Sequence, residues 1–467
     1  MAGLIRNPTG LMERSASCSL RPIRRRPTSA RSSDPVTPQF PFMVVAPVAT
    51  GRESALRALL DAMNLQPGIA DPNNSLVPFG QFEQVHFARF VLLDDATLGD
   101  FAVHRRPAPE FPVYLAFMGD CDGPARALLA DFAQRAGDGL RRIFAHCEGF
   151  DLAGDLYAWL VEHDVPVAAN YVNWRGRMVR EVREDSALQH ALSARLGASR
   201  SPASEGPEAL RREMVRFVDG EVQAGRLTLT GPQPTPLGWR IANGLHAIGI
   251  PLAGLLLSPL IILALPFMLI VLRRREKSDP EYCPRPDPDA LQELRLLEDR
   301  DVTNQFSALG SVKPGRFRRW LASVILLLID YACRHVFNRG HLGRVRTIHF
   351  ARWVFIDDKA RILFTSNYDG SHEAYMDDFI NKVAWGLNLI FSNGIGWPRT
   401  DWLIKRGARF EQRFKYYQRR HQIPSQVWYN ACPGLTLADM VRNGRIREGI
   451  KAAAMSDAQA LAWLRLL

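Results

Sequence analysis

The sequence predicts an α+β fold made of two copies of one module, joined by a hydrophobic segment that enters a membrane. Three observations predict it. Four blocks of residues recur in the same order in the two halves, each half follows a β-α-β-β-α order, and residues 248–272 carry no charge.

The repeat is clearest in HFARFVLLDD at 86–95 and HFARWVFIDD at 349–358. Upstream, FMVVAPVATG at 42–51 stands against FSALGSVKPG at 306–315. Downstream, LAFMGDCDG at 115–123 matches ILFTSNYDG at 362–370 and continues without a gap to Phe144 and Phe391. Last, His163, Pro166 and Tyr171 stand against His421, Pro424 and Tyr429. Such self-similarity marks a duplicated structural unit. Repeat one is read as 41–195 and repeat two as 305–450. Around them lie a basic tail at 1–40, linkers at 196–238 and 278–304, the membrane segment at 239–277 and a C-terminal tail at 451–467.

Within each copy, short β-branched and aromatic runs bounded by Gly, Asp and Pro predict strands. Residues 52–63 alternate as an amphipathic helix. Residues 124–135 predict a helix with Pro124 in its first turn and Gly123 or Asp122 as the cap. A further helix and a last strand close each copy, giving a ferredoxin-like split βαβ with an added helix. Residues 320–333 form a second apolar stretch. They predict a buried core helix, with a helix lying in the membrane interface as the alternative.

The charge-free run at 248–272 is about 38 Å long as a helix, enough to cross a bilayer core of roughly 30 Å. Trp239 and Arg240 flank one end, and Arg273, Arg274, Arg275 and Lys277 the other, as interfacial anchors do. A single crossing would separate the two repeats. Pro251, Pro259 and Pro266 interrupt the run, so the expectation is a re-entrant hairpin turning at Ser258 and Pro259. Both repeats then stay on the cytoplasmic side, in keeping with basic residues at both ends.

The net charge of +11 is partly that of the tail, where Arg6, Arg14, Arg21, Arg24, Arg25, Arg26 and Arg31 face only Glu13 and Asp34. The tail is rich in Ser, Pro and Thr, without an apolar period, and reads as disordered. Its composition is that of a transit peptide or a bacterial basic tail, and it lacks the apolar core of a secretory signal. The residues 409–421 interleave basic and aromatic side chains and predict a structural helix whose basic face suits a membrane surface. The bilayer and a lipophilic ligand are therefore the expected partners, and nucleic acid is not. Six scattered cysteines form no CxxC pair and predict free thiols.

The HFAR strands carry the first candidate chemistry. Alternation places His86 with Ala88 and Phe90 on one face, and Arg89 with Phe87 and Val91 on the other. His349 and Arg352 repeat the pattern. Groups of this kind need partners when buried. Arg89 and Arg352 either pair with carboxylates such as Asp122 and Asp369 to brace the sheet, or line a ligand site inside a barrel. Ser371 to Glu373 and Met376 to Asp378 have the composition of metal sites at a spacing poor for shared ligation, and read as a solvated helix start. No phosphate-loop, dinucleotide, HExxH or GxSxG motif is present.

The element order, together with Gly119-Asp-Cys-Asp-Gly123, resembles the dimeric α/β-barrel superfamily, which includes the dye-decolorising peroxidases and chlorite dismutases. The resemblance covers both repeats. It implies two ferredoxin-like halves packed as a pseudo-dimeric α/β barrel. The GxxDG pattern is similar to that of the dye-decolorising peroxidases, and the second copy departs from it, with Ser366 before Asp369 and Gly370. By that resemblance the cofactor is haem, Asp122 (with Asp369 in the second copy) is the acid/base for peroxide, and Arg352 or Arg89 stabilises the leaving oxygen. His349 is the first candidate axial ligand, with His341 and His86 behind it. Two functions follow: an oxidoreductase of the haem-peroxidase kind acting on a lipophilic substrate, or a non-enzymatic membrane protein that binds a lipid-like ligand or scaffolds partners.

Overall fold

The structure is a computed structural model that describes residues 37–198 and 206–467. Nearly all of the basic tail, with Cys18, lies outside the described residues. The five other cysteines are free thiols.

The first half contains β1 (Gln39–Pro47), α1 (Glu53–Asp61), the short β2 (Asn64–Gln66) and β3 (Gly68–Ala70), β4 (Val85–Leu93), β5 (Tyr114–Asp122), α2 (Ala125–Arg135), α3 (Gly137–Phe144), α4 (Leu156–Glu162), β6 (Ala169–Val172) and α5 (Val179–Ala198). The connection contains α6 (Pro207–Gln223), α7 (Leu237–Ser278) and α8 (Pro288–Leu296). The second half contains β7 (Thr303–Ser311), α9 (Arg316–His335), β8 (Ile348–Ile356), β9 (Arg361–Asp369), α10 (His372–Phe391), the short β10 (Thr400–Asp401) and β11 (Lys405–Arg406), α11 (Glu411–His421), β12 (Ser425–Asn430), α12 (Leu437–Lys451) and α13 (Asp457–Leu464). The fold is mixed α+β.

Two larger sheets carry it, in the orders β2-β3-β12-β4-β5-β1 and β6-β8-β9-β7. Their connectivity repeats: β1-β5-β4 in one sheet corresponds to β7-β9-β8 in the other. In both, the last strand comes from the other half. β12 pairs antiparallel with β4, and β6 pairs antiparallel with β8.

The strands read as near-continuous apolar runs because both faces are covered. Phe42, Val44 and Ala46 of β1 pack with Ala88, Phe90 and Leu92 of β4 against the helices of the first half. Met43, Val45, Val91 and Leu93, on the opposite faces, meet Leu309, Val354, Ile356 and Leu363 of the second sheet. Alternation at period two assigns each residue to one layer or the other. The stretches read as linkers and tail are not bare: α6 and α13 pack with α5 and α12 around Leu188, Met214, Ile446 and Trp463. Pro124, rather than Gly123 or Asp122, is the N-cap residue of α2, and no side chain caps that helix.

The expected hairpin at Ser258 does not form. α7 is one unbroken helix of 42 residues running through Pro251, Pro259 and Pro266. Proline removes the bond to the carbonyl four residues earlier. For Pro251 that carbonyl is Ala247, which accepts the Tyr331 hydroxyl at 3.1 Å. For Pro259 it is Leu255, which accepts the Ser258 hydroxyl at 2.7 Å. Side chains thus replace two of the three lost bonds, and the helix continues through all three prolines.

Exchanged strands couple the halves. Phe90 is fully buried in the first half's core, and Phe90→Ala is expected to cost about 3–5 kcal/mol. Hydrogen exchange should then accelerate in β8 and β9 as much as in β4 and β5. Unchanged protection in β8 and β9 would show that the halves unfold separately.

Candidate functional site

The six residues singled out by sequence gather where the two sheets meet. Arg89 leaves β4 and crosses to the opposite sheet. Its Nη1 donates to the Phe306 carbonyl (3.0 Å), Ser307 Oγ (3.0 Å) and Gln305 Oε1 (3.3 Å). Its Nη2 donates to the Ser366 carbonyl (3.1 Å) and to Asn367 Oδ1. Arg352 makes the reciprocal crossing from β8. It donates to the Phe42 carbonyl (3.0 Å) and the Gly119 carbonyl (2.9 Å), and pairs with Asp120 at 2.5 Å. Phe306 and Phe42, Ser366 and Gly119, Asn367 and Asp120 are equivalent positions of the repeat. Burial and the proximity of Arg352 hold Arg89 down to about 9, with Asp120 working the other way. Neither arginine pairs with Asp122 or Asp369, contrary to expectation.

Those two carboxylates hold the histidines. His86 Nε2 donates to Asp122 Oδ1 at 2.9 Å, and His349 Nε2 to Asp369 Oδ1 at 2.6 Å. Gln39 Nε2 adds a bond to Asp122 Oδ1, and Thr303 Oγ1 adds one to Asp369 Oδ1. The second oxygen of each accepts the first backbone N–H of a helix, Val179 of α5 or Leu437 of α12. Each His–Asp pair therefore ties a sheet to the helix that follows an exchanged strand. The ladder shifts register between Val85 and Phe87, and again between Ile348 and Phe350. The displaced residue at each bulge is the histidine. Simple alternation therefore fails there, as bulges re-aim side chains.

Both histidines line one cavity of about 40 Å³, with Phe87, Phe350, Asn173 and Trp174 among its walls. That is room for a few waters at roughly 10–15 Å³ each. Arg89, Arg352, Asp122 and Asp369 are not among its lining residues. The residues do not fit a haem. The space is too small for a macrocycle, Nε2 of His86 and of His349 is taken by a carboxylate, and both arginines are tied to oxygens of the opposite sheet. His341 lies apart, in contact with Phe337.

Other polar candidates are also accounted for. Ser371 caps α10 by accepting from Ala374 N. His372 is buried rather than solvated, packed on Phe306 at 5.9 Å, and neither ring nitrogen makes a hydrogen bond. No group of three or more His, Cys, Asp or Glu among the described residues is placed to hold a metal. The basic residues of α11 are spent internally: Arg413 on Glu281, Lys415 on Glu373, Asp377 and Glu411, Arg419 on Glu298, and Arg420 on Asp100.

The apolar helix α7 is tied down at both ends. Near its start, Arg334 Nε donates to Asn243 Oδ1 at 2.8 Å, and His246 Nδ1 meets His335 Nε2 at 2.9 Å. Near its end, buried Glu276 accepts from Thr400 Oγ1 and from the N–H groups of Trp402 and Leu403. Just beyond, Asp279 pairs with Lys313 and Arg318. Burial opposes the Asp279 charge, and the two cations override it, leaving its carboxyl below the ordinary range. Sequence reading missed these anchors because it counted only the cations at the helix ends.

No family model, no curated protein and no solved structure matches the chain.

Two outcomes check the structural role of these groups. Arg352→Leu leaves Asp120 buried and unpaired, and should cost about 3–5 kcal/mol in denaturant melts. Adding Asp120→Leu should recover part of the loss. Stability equal to the parent in the single variant would instead point to a functional role. For His372, burial and then Arg419 and Lys415 hold the imidazole down to about 3, against ~6.5 when unfolded. The unfolded chain thus takes up the proton first, and stability falls as pH drops from about 6.5 toward 3, by about 1.4 kcal/mol per unit. His372→Phe should flatten that part of the stability profile. An unchanged slope would locate the acid sensitivity elsewhere.

Proposed function

We propose that the protein is a monotopic membrane protein. In this reading a pseudo-dimeric α/β barrel of two ferredoxin-like halves rests on one face of the bilayer, α7 is immersed in that face, and the role is to bind lipid or organise partners there. The observation that carries it is α7 itself. It is long and apolar enough to cross a membrane, yet only 6% of its most apolar window is buried in the protein.

The anchors argue for immersion from one side. From His246 to Glu276 the helix runs about 45 Å, whereas α9 runs about 26 Å from Arg318 to His335. The start of α7 is held by the end of α9 and its end by the β10–β11 hairpin, while the residues between, such as Leu256, Leu263 and Phe267, stay exposed. Accordingly, Leu327 and Leu328 of α9 stay 47% and 57% exposed. With Trp320 they form one apolar stripe at helical spacing. The exchanged strands keep both halves in one body, and a single crossing would carry them to opposite sides. The basic residues at both ends of the helix favour the cytoplasmic face. The filled space between the sheets favours this reading over peroxide chemistry.

The full chain should float with lipid vesicles and resist alkaline extraction. Leu257→Asp with Leu260→Asp should lower vesicle partitioning at least ~100-fold, given about 2.5–3.5 kcal/mol for each buried aspartate. Protease added to sealed vesicles should reach both halves or neither. A chain that stays in the aqueous fraction, or halves protected on opposite sides, would sink the proposal.

A further inference from the structure

α10 is interrupted at Val383, whose backbone (φ −140, ψ 22) is not helical. Gly343, at φ +61, lies against this break. A Cβ there would meet Val383 Cγ1 at 2.8 Å, so only glycine lets the loop after α9 come this close. Between that loop and the segment after β11 lies an open groove of about 770 Å³. Arg344, Lys382, Arg409, Asn381 and Trp385 line it, and no acidic residue does. Lys382 is shared with Asp378 at 2.6 Å. Arg344 and Arg409 are exposed and make no ion pair or hydrogen bond with the described residues. This contrasts with α11, whose cations are all neutralised internally. Trp385 is 53% exposed at the same groove.

The groove also has a defined place relative to α7. Its Arg344 wall belongs to the loop leaving the end of α9 that holds His246. Its Arg409 wall follows the β10–β11 hairpin whose Thr400, Trp402 and Leu403 clasp Glu276. That hairpin also exposes Trp402 and Ile404. Unpaired guanidinium groups suit a phosphate oxygen pair, and a tryptophan beside them suits the boundary between headgroup and acyl chain.

We infer that this groove binds the phosphate of an anionic phospholipid headgroup, with Arg344 and Arg409 as its ligands and Trp385 packed at the acyl boundary. The inference rests on the monotopic reading and gives it a lipid class.

The test is flotation of the full chain with vesicles of phosphatidylcholine alone, or of phosphatidylcholine mixed with phosphatidylglycerol. The parent should prefer the anionic vesicles. Arg344→Gln with Arg409→Gln should lower that partitioning roughly 10–30-fold and lower binding to phosphatidylcholine, whose phosphate is offset by its choline, far less. Arg126→Gln with Arg142→Gln, exposed cations of the first half, should reduce anionic binding far less. Equal losses in the two double variants would overturn the groove as a site and leave only general charge attraction. Titration with inorganic phosphate separates the sources. Phosphate binding lost in the Arg344/Arg409 variant, with vesicle preference intact, would overturn the lipid assignment in favour of a soluble ligand. Failure of the parent to bind either kind of vesicle would defeat the monotopic reading and this inference together. Binding to both kinds without preference would defeat this inference alone.

Discussion

The last strand of each half pairs in the sheet of the other, and most of the architecture follows from that exchange. β12 cannot reach β4, nor β6 reach β8, unless the two halves are brought together. The inner faces of both sheets are then sealed against each other, which removes the apolar side chains of β1, β4, β8 and β9 from water on both sides. The helices that follow the exchanged strands, α5 and α12, are brought side by side, where Arg447 pairs with Glu184 and Asp185. The connection between the halves also has to leave and return to one body. The position of α7 is thus a consequence of the strand order as much as of its own composition.

Sealing two sheets together leaves their polar groups without water. The HFAR strands answer this twice with one device. Each arginine spans the interface and spends its donors on main-chain carbonyls of the opposite sheet. Two like charges are buried close together, with one carboxylate, Asp120, opposite the neutral Asn367. Carbonyl dipoles and side-chain amides must supply the rest, and burial pulls Arg89 toward its neutral form. Buried pairs of this kind add little net stability over apolar residues but are costly to break. A register slip of one residue would turn both arginines into the helix-covered cores. Repetition of the motif in both halves is what a reciprocal brace requires.

The mixed α+β class, the strand order that recurs in the two sheets and the apolar connection are legible in the sequence, because each leaves a pattern longer than ten residues. What escaped was local geometry. Alternation puts His86 and His349 on the wrong face because a bulge leaves no mark in an alternating run. The sequence offers Asp122 as a helix cap, an arginine partner or, by resemblance, the acid/base for peroxide, whereas its oxygens are divided between His86 with Gln39 and the start of α5. Asp120 went unremarked because its counterpart is Asn367 and the repeat highlights identity. The basic face of α11 looked free because Glu281, Glu298, Glu373 and Asp100, which neutralise it, are distant in sequence. Three prolines suggested a turn in α7. The hydroxyls of Tyr331 and Ser258, which make the turn unnecessary, become partners only once the helix is folded and placed.

The prolines of α7 bear on its surroundings. In water a carbonyl freed by proline is hydrated at little cost, and no side chain need be committed to it. In hydrocarbon the same carbonyl must find an internal donor. Two of the three prolines in α7 have such a donor, one supplied from α9 and one from the helix itself. Glu276 and Asp279 carry the same logic to the end of the helix, where backbone N–H groups and cations of the second half take up their charge. A helix apolar on all sides, little buried by its own protein, with donors at two of its three prolines and polar groups fixing its ends, has the features that the proposed bilayer setting requires of it. In the proposed setting, the exposed cations near those ends, Arg344 and Arg409, are the groups available to headgroup phosphate.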